Sequence, residues 1–365
     1  MSVPGQRGPR LRELGLRIGR FEAGAANAIS DVTGVTVGHV TVWRDEPEPP
    51  AGRGVARTGV TAVLPGPVET LHAQPVPAGT AVLNGAGELT GSLQIGEWGC
   101  IETPVYLTST HAVGRIYDGA VAVAAEVEPR VGTENFVIPV VGECDDSWLS
   151  EGRVVHVEAE DAGRAVAAAT SGTLAEGAVG GGTGMMTKGY KAGIGTASRI
   201  APSIGSAVGV LVLANFYPPP GLVMDGVPVG DLLDESPETR TSKAGSCIAV
   251  VAVDARLSSH QLERVARRAG LGLARCGSVA HHGSGEIFVA FAPPGRRPRG
   301  QTPVTDVPDR ALNDVFEAVV DATEEAVLNA LWAAPEVIGR DGRVGHALPH
   351  DLVLEILETH GRLRR

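Results

Sequence analysis

The pair Gly245-Ser246 constrains this chain more than any other feature. It closes a polar stretch, residues 217–244, that contains three successive prolines and a charged run, and it opens the uninterrupted apolar run 247–253. A short apolar run bounded by turn residues reads as a buried strand, which places Ser246 at the first position of that strand. The stretch before it is the best candidate in the chain for an exposed connection, the setting in which a backbone break is tolerated. A break before Ser246 would give one residue both a hydroxyl nucleophile and an α-amino group of reference pKa about 7.7–8.0, a nucleophile and its base together. Taken alone, the dipeptide is equally an ordinary turn ending before a strand, so its surroundings must decide.

Downstream, residues 258–261 form a capping-box pattern, and Leu262, Val265, Ala266, Ala269 and Leu273 follow at helical spacing until Gly272 and Gly277 end the helix. The loop His281-His282-Gly283-Ser284-Gly285 then leads into a second apolar strand, 286–291. A strand–helix–strand crossover makes the two strands parallel with their starts at one sheet edge, and so brings Ser284 close to Ser246. Elsewhere, short strands are expected at 32–42, 59–64, 80–83, 103–107, 137–141 and 208–213. Helices are expected at 161–175, 311–332 and 352–359, with a glycine-dense stretch at 177–195.

With 365 residues the chain has room for one large domain or two, and its 49 glycines against few aromatics indicate tight turns and close backbone approaches. A net charge of −11 argues against a nucleic-acid partner. The basic clusters Arg7 to Arg20 and Arg296 to Arg299 lack interleaved aromatics and read as solvated segments. Cys100, Cys144, Cys247 and Cys276 form no Cys-x-x-Cys pair, so neither a zinc ribbon nor a disulfide framework is expected. The first 24 residues lack a signal-peptide core and no run approaches a membrane span, which gives an expectation of a cytoplasmic protein with reduced thiols. Neither G-x-S-x-G nor H-E-x-x-H occurs, and the Gly180–Gly184 segment matches no phosphate-loop or dinucleotide pattern. No metal or cofactor is expected.

Gly245-Ser246, the segment 280–287 around Ser284 and Glu286, and Asn215 at a strand end together resemble the DmpA-like L-aminopeptidase/D-esterase family, which includes the β-aminopeptidases and uses an N-terminal-nucleophile mechanism. The resemblance extends from 27–39 through 84–88, 139–143, 191–199 and 272–275 to the C-terminal helix. It implies an α/β/β/α sandwich and a single self-processing hydrolase domain, residues 1–365, that cuts Gly245-Ser246 into an α chain, 1–245, and a β chain, 246–365. It further implies that Ser246 is the nucleophile, that Ser284 and Glu286 complete a hydrogen-bond chain, that Asn215 donates to the oxyanion, and that Glu143 binds the substrate ammonium. The implied substrates are small peptides, amides or esters, and the implied assembly is a homo-oligomer of cleaved units.

Two positions depart from the family pattern. A tyrosine hydroxyl is expected as second oxyanion donor, yet residues 143–148 read Glu-Cys-Asp-Asp-Ser-Trp; a backbone N–H is the available substitute. His282 stands where an asparagine is expected before Gly-Ser-Gly. Three readings compete with the aminopeptidase: an oligoamide hydrolase, an acyltransferase like the ornithine acetyltransferases, and an inactive binding protein on the same fold. The acyltransferases commonly use threonine, so Ser246 speaks against that reading.

Overall fold

The computed structural model describes residues 8–216, 221–233, 245–301 and 304–363. In chain order the strands are β1 (Thr36–Asp45), β2 (Val55–Leu64), β3 (Val76–Gly85), β4 (Cys100–Ile101), β5 (Val105–Ser109), β6 (Val140–Cys144), β7 (Met186–Thr187), β8 (Tyr190–Lys191), β9 (Ile194–Ala201), β10 (Ser206–Asn215), β11 (Ser246–Val253) and β12 (Gly285–Phe291). The helices are α1 (Val68–Leu71), α2 (Ser92–Trp98), α3 (Val113–Val127), α4 (Glu160–Ala167), α5 (Val229–Leu232), α6 (Ser259–Ala266), α7 (Ala269–Arg275), α8 (Leu312–Ala333) and α9 (His350–Thr359).

Two sheets stack face to face, one of order β1-β2-β5-β6 and one of order β4-β3-β12-β11-β10-β9. Alternation along each strand sorts its side chains between two layers. On β11, Ile248, Val250 and Ala252 join Val37, Val63 and Leu107 of the facing sheet in the central core. Cys247, Ala249, Val251 and Val253 face the other way, into a core built with α6, α7 and α8. The outer face of the four-stranded sheet, with Val60, Ala62 and Tyr106, is covered by Ile116 and Ala120 of α3 and Ala162 and Ala165 of α4. The result is the four-layer α/β/β/α sandwich that the family resemblance implies. Close contact between layers depends on Gly195 of β9, where a Cβ would lie 1.9 Å from the Ala326 carbonyl of α8.

The crossover expectation holds: β11 and β12 are parallel, with Ser246 opposite Gly285, and β10 runs antiparallel on the other side with Asn215 opposite Ser246. Residues 1–245 and 246–365 therefore share one sheet. A cut between them leaves both parts held by ladders on β11 and β12.

Several elements differ from expectation. The helix expected at 161–175 stops at Ala167, because Thr170 turns into a two-way backbone pairing with Val37 at 2.9 and 3.0 Å. The single helix expected after Ser258 breaks into α6 and α7 around Arg267-Arg268. Gly272 does not end it; it lies inside α7, where a Cβ would meet Thr323 of α8 at 2.5 Å. The strand expected at 137–141 is displaced to Val140–Cys144, and α3 and β9 were not anticipated. Of the 217–244 connection only 221–233 lies within the described residues, where it forms the short α5.

The basic clusters are not simply solvated. Arg10 pairs with Glu176 at 2.9 Å and donates to the Ala26 and Asn27 carbonyls, Arg12 pairs with Glu325 at 3.2 Å, and Arg299 pairs with Glu102. Each partner carboxylate is buried. These pairs join residues more than 160 positions apart, a relation that local composition does not carry. Among the described residues, no helix is long and apolar enough to cross a membrane.

Candidate active site

The starts of β11 and β12 and the end of β10 meet at the mouth of the sandwich. By strand alternation, Ser246 and Asn215 fall on the same side as Ile248 and Leu213, facing the second sheet, whereas Glu286 falls on the side of Phe288, facing the helices. The backbone of Gly285 lies between the two groups. Its N–H is shared by two acceptors, Ser246 Oγ at 3.2 Å and the Gly245 carbonyl oxygen at 3.2 Å. The hydroxyl of Ser246 and the carbonyl preceding it thus converge on one donor. Ser246 is nearly buried, at 7% exposure, yet it lines a cleft of about 480 Å³.

That cleft is also lined by Gly245, Asn215, Glu143, Thr110, Asp145 and the Gly87-Glu88 loop after β3. It unites four of the sequence candidates: Gly245, Ser246, Asn215 and Glu143. Ser284 and Glu286 are not on its wall. They form a separate buried pair beneath Gly285, with Ser284 Oγ 2.8 Å from Glu286 Oε2 and 2.8 Å from the His281 carbonyl. A hydroxyl has one proton, so an ionised Glu286 accepts it, while a protonated Glu286 donates and leaves Ser284 to bond His281. Burial raises the Glu286 pKa, and the hydrogen bond with Ser284 opposes that shift.

Asn215 is fixed at both ends of its amide. Oδ1 accepts from the Met186 N–H at 2.9 Å, and Nδ2 donates to the Asp145 carbonyl at 2.9 Å, leaving one N–H of Nδ2 for a ligand. Glu143, at 4% exposure, is the penultimate residue of β6 and lines the cleft; its oxygens accept from the Glu88 N–H at 2.9 Å and from the Thr110 hydroxyl. Burial raises its pKa, and these two hydrogen bonds oppose that shift. The cleft therefore presents a serine hydroxyl, an amide donor and a buried carboxylate.

Asn84 and Thr110 were not given roles by the sequence. Asn84 Nδ2 donates to the His281 carbonyl at 2.7 Å and to Ser284 Oγ at 3.3 Å, holding the loop that carries Ser284. It does so where an asparagine was expected at position 282, and His282 itself is exposed. Asn84 was visible as part of the 84–88 stretch, but Thr110 had no local signal, since its partner lies 33 residues away. No group of metal-ligating side chains occurs among the described residues.

The family model for peptidase family S58 matches residues 27–345. The chain belongs to peptidase family S58. It is 41% identical to a β-peptidyl aminopeptidase, BapA, of Sphingosinicella microcystinivorans, over 98% of this chain and 93% of that protein. Among solved structures it is similar to a Burkholderia sp. β-aminopeptidase, with 40% identity, a TM-score of 0.87 and coverage of 97% and 99% of the two chains. It is also similar to the L-aminopeptidase D-Ala-esterase/amidase of Ochrobactrum anthropi, described as a prototype for the serine aminopeptidases and a variant of the Ntn hydrolase fold. The identity there is 38%, the TM-score 0.90, and coverage 98% and 100%. This S58 member is accordingly a serine-type aminopeptidase on an N-terminal-nucleophile hydrolase fold, as the DmpA-like resemblance implied.

Proposed function

We propose that the chain cuts its own Gly245-Ser246 bond and then uses Ser246 to release N-terminal residues from small peptides, amides and esters. The observation that carries this reading is the shared Gly285 N–H, which holds the attacking hydroxyl and the carbonyl under attack at the same donor. In the precursor, Ser246 Oγ adds to the Gly245 carbonyl carbon and negative charge develops on the oxygen that Gly285 already contacts. This is electrostatic stabilisation of an oxyanion by a preorganised donor. The hydroxyl proton passes to the Ser246 nitrogen, the C–N bond breaks, and an ester remains on Oγ. Water then hydrolyses that ester, leaving the Gly245 carboxylate and a free Ser246 amine.

The same groups serve the peptidase reaction. The new amine takes the Oγ proton as Oγ attacks the substrate carbonyl, and the leaving amine receives it when the acyl-enzyme forms; water then hydrolyses that ester, releasing the N-terminal residue and restoring the Ser246 hydroxyl. Asn215 Nδ2 and the Gly285 N–H are the two oxyanion donors, so a backbone N–H replaces the tyrosine missing from 143–148. The Ser284–Glu286 pair flanks Gly285, the residue opposite Ser246, and from there orients the new amine. Glu143 pairs with the substrate ammonium. A blocked N-terminus would leave that buried carboxylate without a counter-charge, which favours an aminopeptidase over an oligoamide hydrolase. Exposed Val82, Leu83, Leu93 and Trp98 support association of processed units into a homo-oligomer.

The test is Ser246→Ala. It is expected to stay one polypeptide on a denaturing gel and to show no turnover of aminoacyl p-nitroanilides. Turnover by the uncut variant would move the nucleophile elsewhere.

A further inference from the structure

Lys191 is wholly buried on β8, outside the cleft, and among the described residues it forms no salt bridge. An ammonium there is costly unless its protons are satisfied, and three carbonyls satisfy them: Gly182 at 3.1 Å, Met185 at 2.8 Å and Ala192 at 2.7 Å. Burial pulls the Lys191 pKa down to about 7, with the nearby Asp146 opposing that shift, and the three carbonyl acceptors match the three N–H bonds of the charged form. The middle contact matters most. The Met185 carbonyl belongs to the same peptide group as the Met186 N–H, and that N–H grips Asn215 Oδ1 at 2.9 Å.

We infer that Lys191 is a positioning residue for the oxyanion donor, acting through the Met185-Met186 peptide to hold Asn215. A hydrogen-bond donor at the carbonyl end of a peptide polarises its N–H and strengthens the next bond in the chain. The relay is Lys191 Nζ–H to Met185 O, Met186 N–H to Asn215 Oδ1, and then the free Asn215 Nδ2–H to the developing oxyanion. Local geometry makes the relay stiff. Met186 and Lys191 are paired residues of the β7–β8 hairpin, and its two-residue turn, Lys188-Gly189, has φ of 51° and 87°, both left-handed as in a type I′ turn. The Lys188 N–H bonds the Phe216 carbonyl at 2.9 Å, tying the hairpin tip to the residue after Asn215.

This inference rests on the reading of Asn215 as an oxyanion donor, and a double-mutant cycle separates the two. Lys191→Met and Asn215→Ala are made singly and together, and both the self-cleavage rate and the kcat and KM of the processed enzyme for an aminoacyl p-nitroanilide are measured. Loss of a single oxyanion donor costs roughly 100- to 1,000-fold in kcat, so its misplacement by Lys191→Met is expected to cost about tenfold or more. KM is expected to stay within about twofold, because uniform binding is untouched. In the Asn215→Ala background the same change is expected to cost less than about threefold. A full, multiplicative loss on top of Asn215→Ala overturns the inference while leaving the oxyanion assignment intact. An unimpaired Asn215→Ala overturns the assignment and the inference with it. If Lys191→Met does not fold, Lys191→Gln, whose neutral amide keeps two N–H donors, takes its place in the cycle. Failure of both to fold where Asn215→Ala folds makes Lys191 a stability element and refutes the relay.

Discussion

Replacing Glu143 by glutamine tests the substrate-binding half of this account with little change of shape. The amide oxygen can still accept from the Glu88 N–H, and the Thr110 hydroxyl keeps a partner, so the floor of the cleft is preserved while its charge is removed. An ammonium within about 4 Å of the carboxylate is attracted by about 4 kcal/mol at an effective dielectric constant near 20. Desolvation of a carboxylate that is only 4% exposed offsets part of this. A net loss of about 2–4 kcal/mol corresponds to a roughly 30- to 700-fold fall in kcat/KM for substrates with a free amine. The assay compares alanine p-nitroanilide with its N-acetyl derivative: Glu143→Gln should lose rate on the first and gain relative preference for the second. The pH dependence has a definite sign. Burial raises the Glu143 pKa, so ammonium binding weakens as pH falls through a value above the ordinary carboxylate range, and the variant lacks that limb. For stability the sign is opposite to that of a salt-bridged acid. A raised folded-state pKa gives stability below the unfolded value that is lost as pH rises through the folded one, so the variant should be the more stable at neutral pH. An unchanged ratio between free and acetylated substrates would refute the role of Glu143.

Two further substitutions probe the scaffold. Gly285→Ala would place a Cβ 2.9 Å from the Ala86 carbonyl oxygen and 3.0 Å from Gly87 Cα, displacing the cleft wall or the shared N–H; self-cleavage followed on denaturing gels should slow by about tenfold or more. Glu325→Gln removes the carboxylate that meets the fully buried Arg199 and the half-buried Arg12, and urea unfolding should show a loss of about 3–5 kcal/mol.

The strand–helix–strand order from β11 to β12 is legible in the sequence, though not the break between α6 and α7, because its signals are local: an apolar run, a capping box, helical spacing and a glycine loop. Those signals sufficed to place Ser284 beside Ser246. What escaped depends on partners distant in sequence. The alanine-rich segment after Asp161 carries helical composition past Ala167, but its outcome is set by Val37, more than a hundred residues earlier, which draws Thr170 into a backbone pair. Arg10 and Arg12 look solvated until Glu176 and Glu325 are brought beneath them by β9 and α8. The same holds in the site. Ser246, Asn215 and Glu143 were marked by family resemblance, whereas Thr110 and the Met186 N–H, which aim those side chains, act through contacts that only the fold creates.

The central claim is that Ser246 becomes a chain terminus. Intact-mass measurement of the purified protein, with N-terminal sequencing of its parts, tests this most directly. Two polypeptides are expected, ending at Gly245 and beginning Ser-Cys-Ile-Ala; a single chain of 37.6 kDa that persists while the preparation hydrolyses aminoacyl substrates would contradict the account.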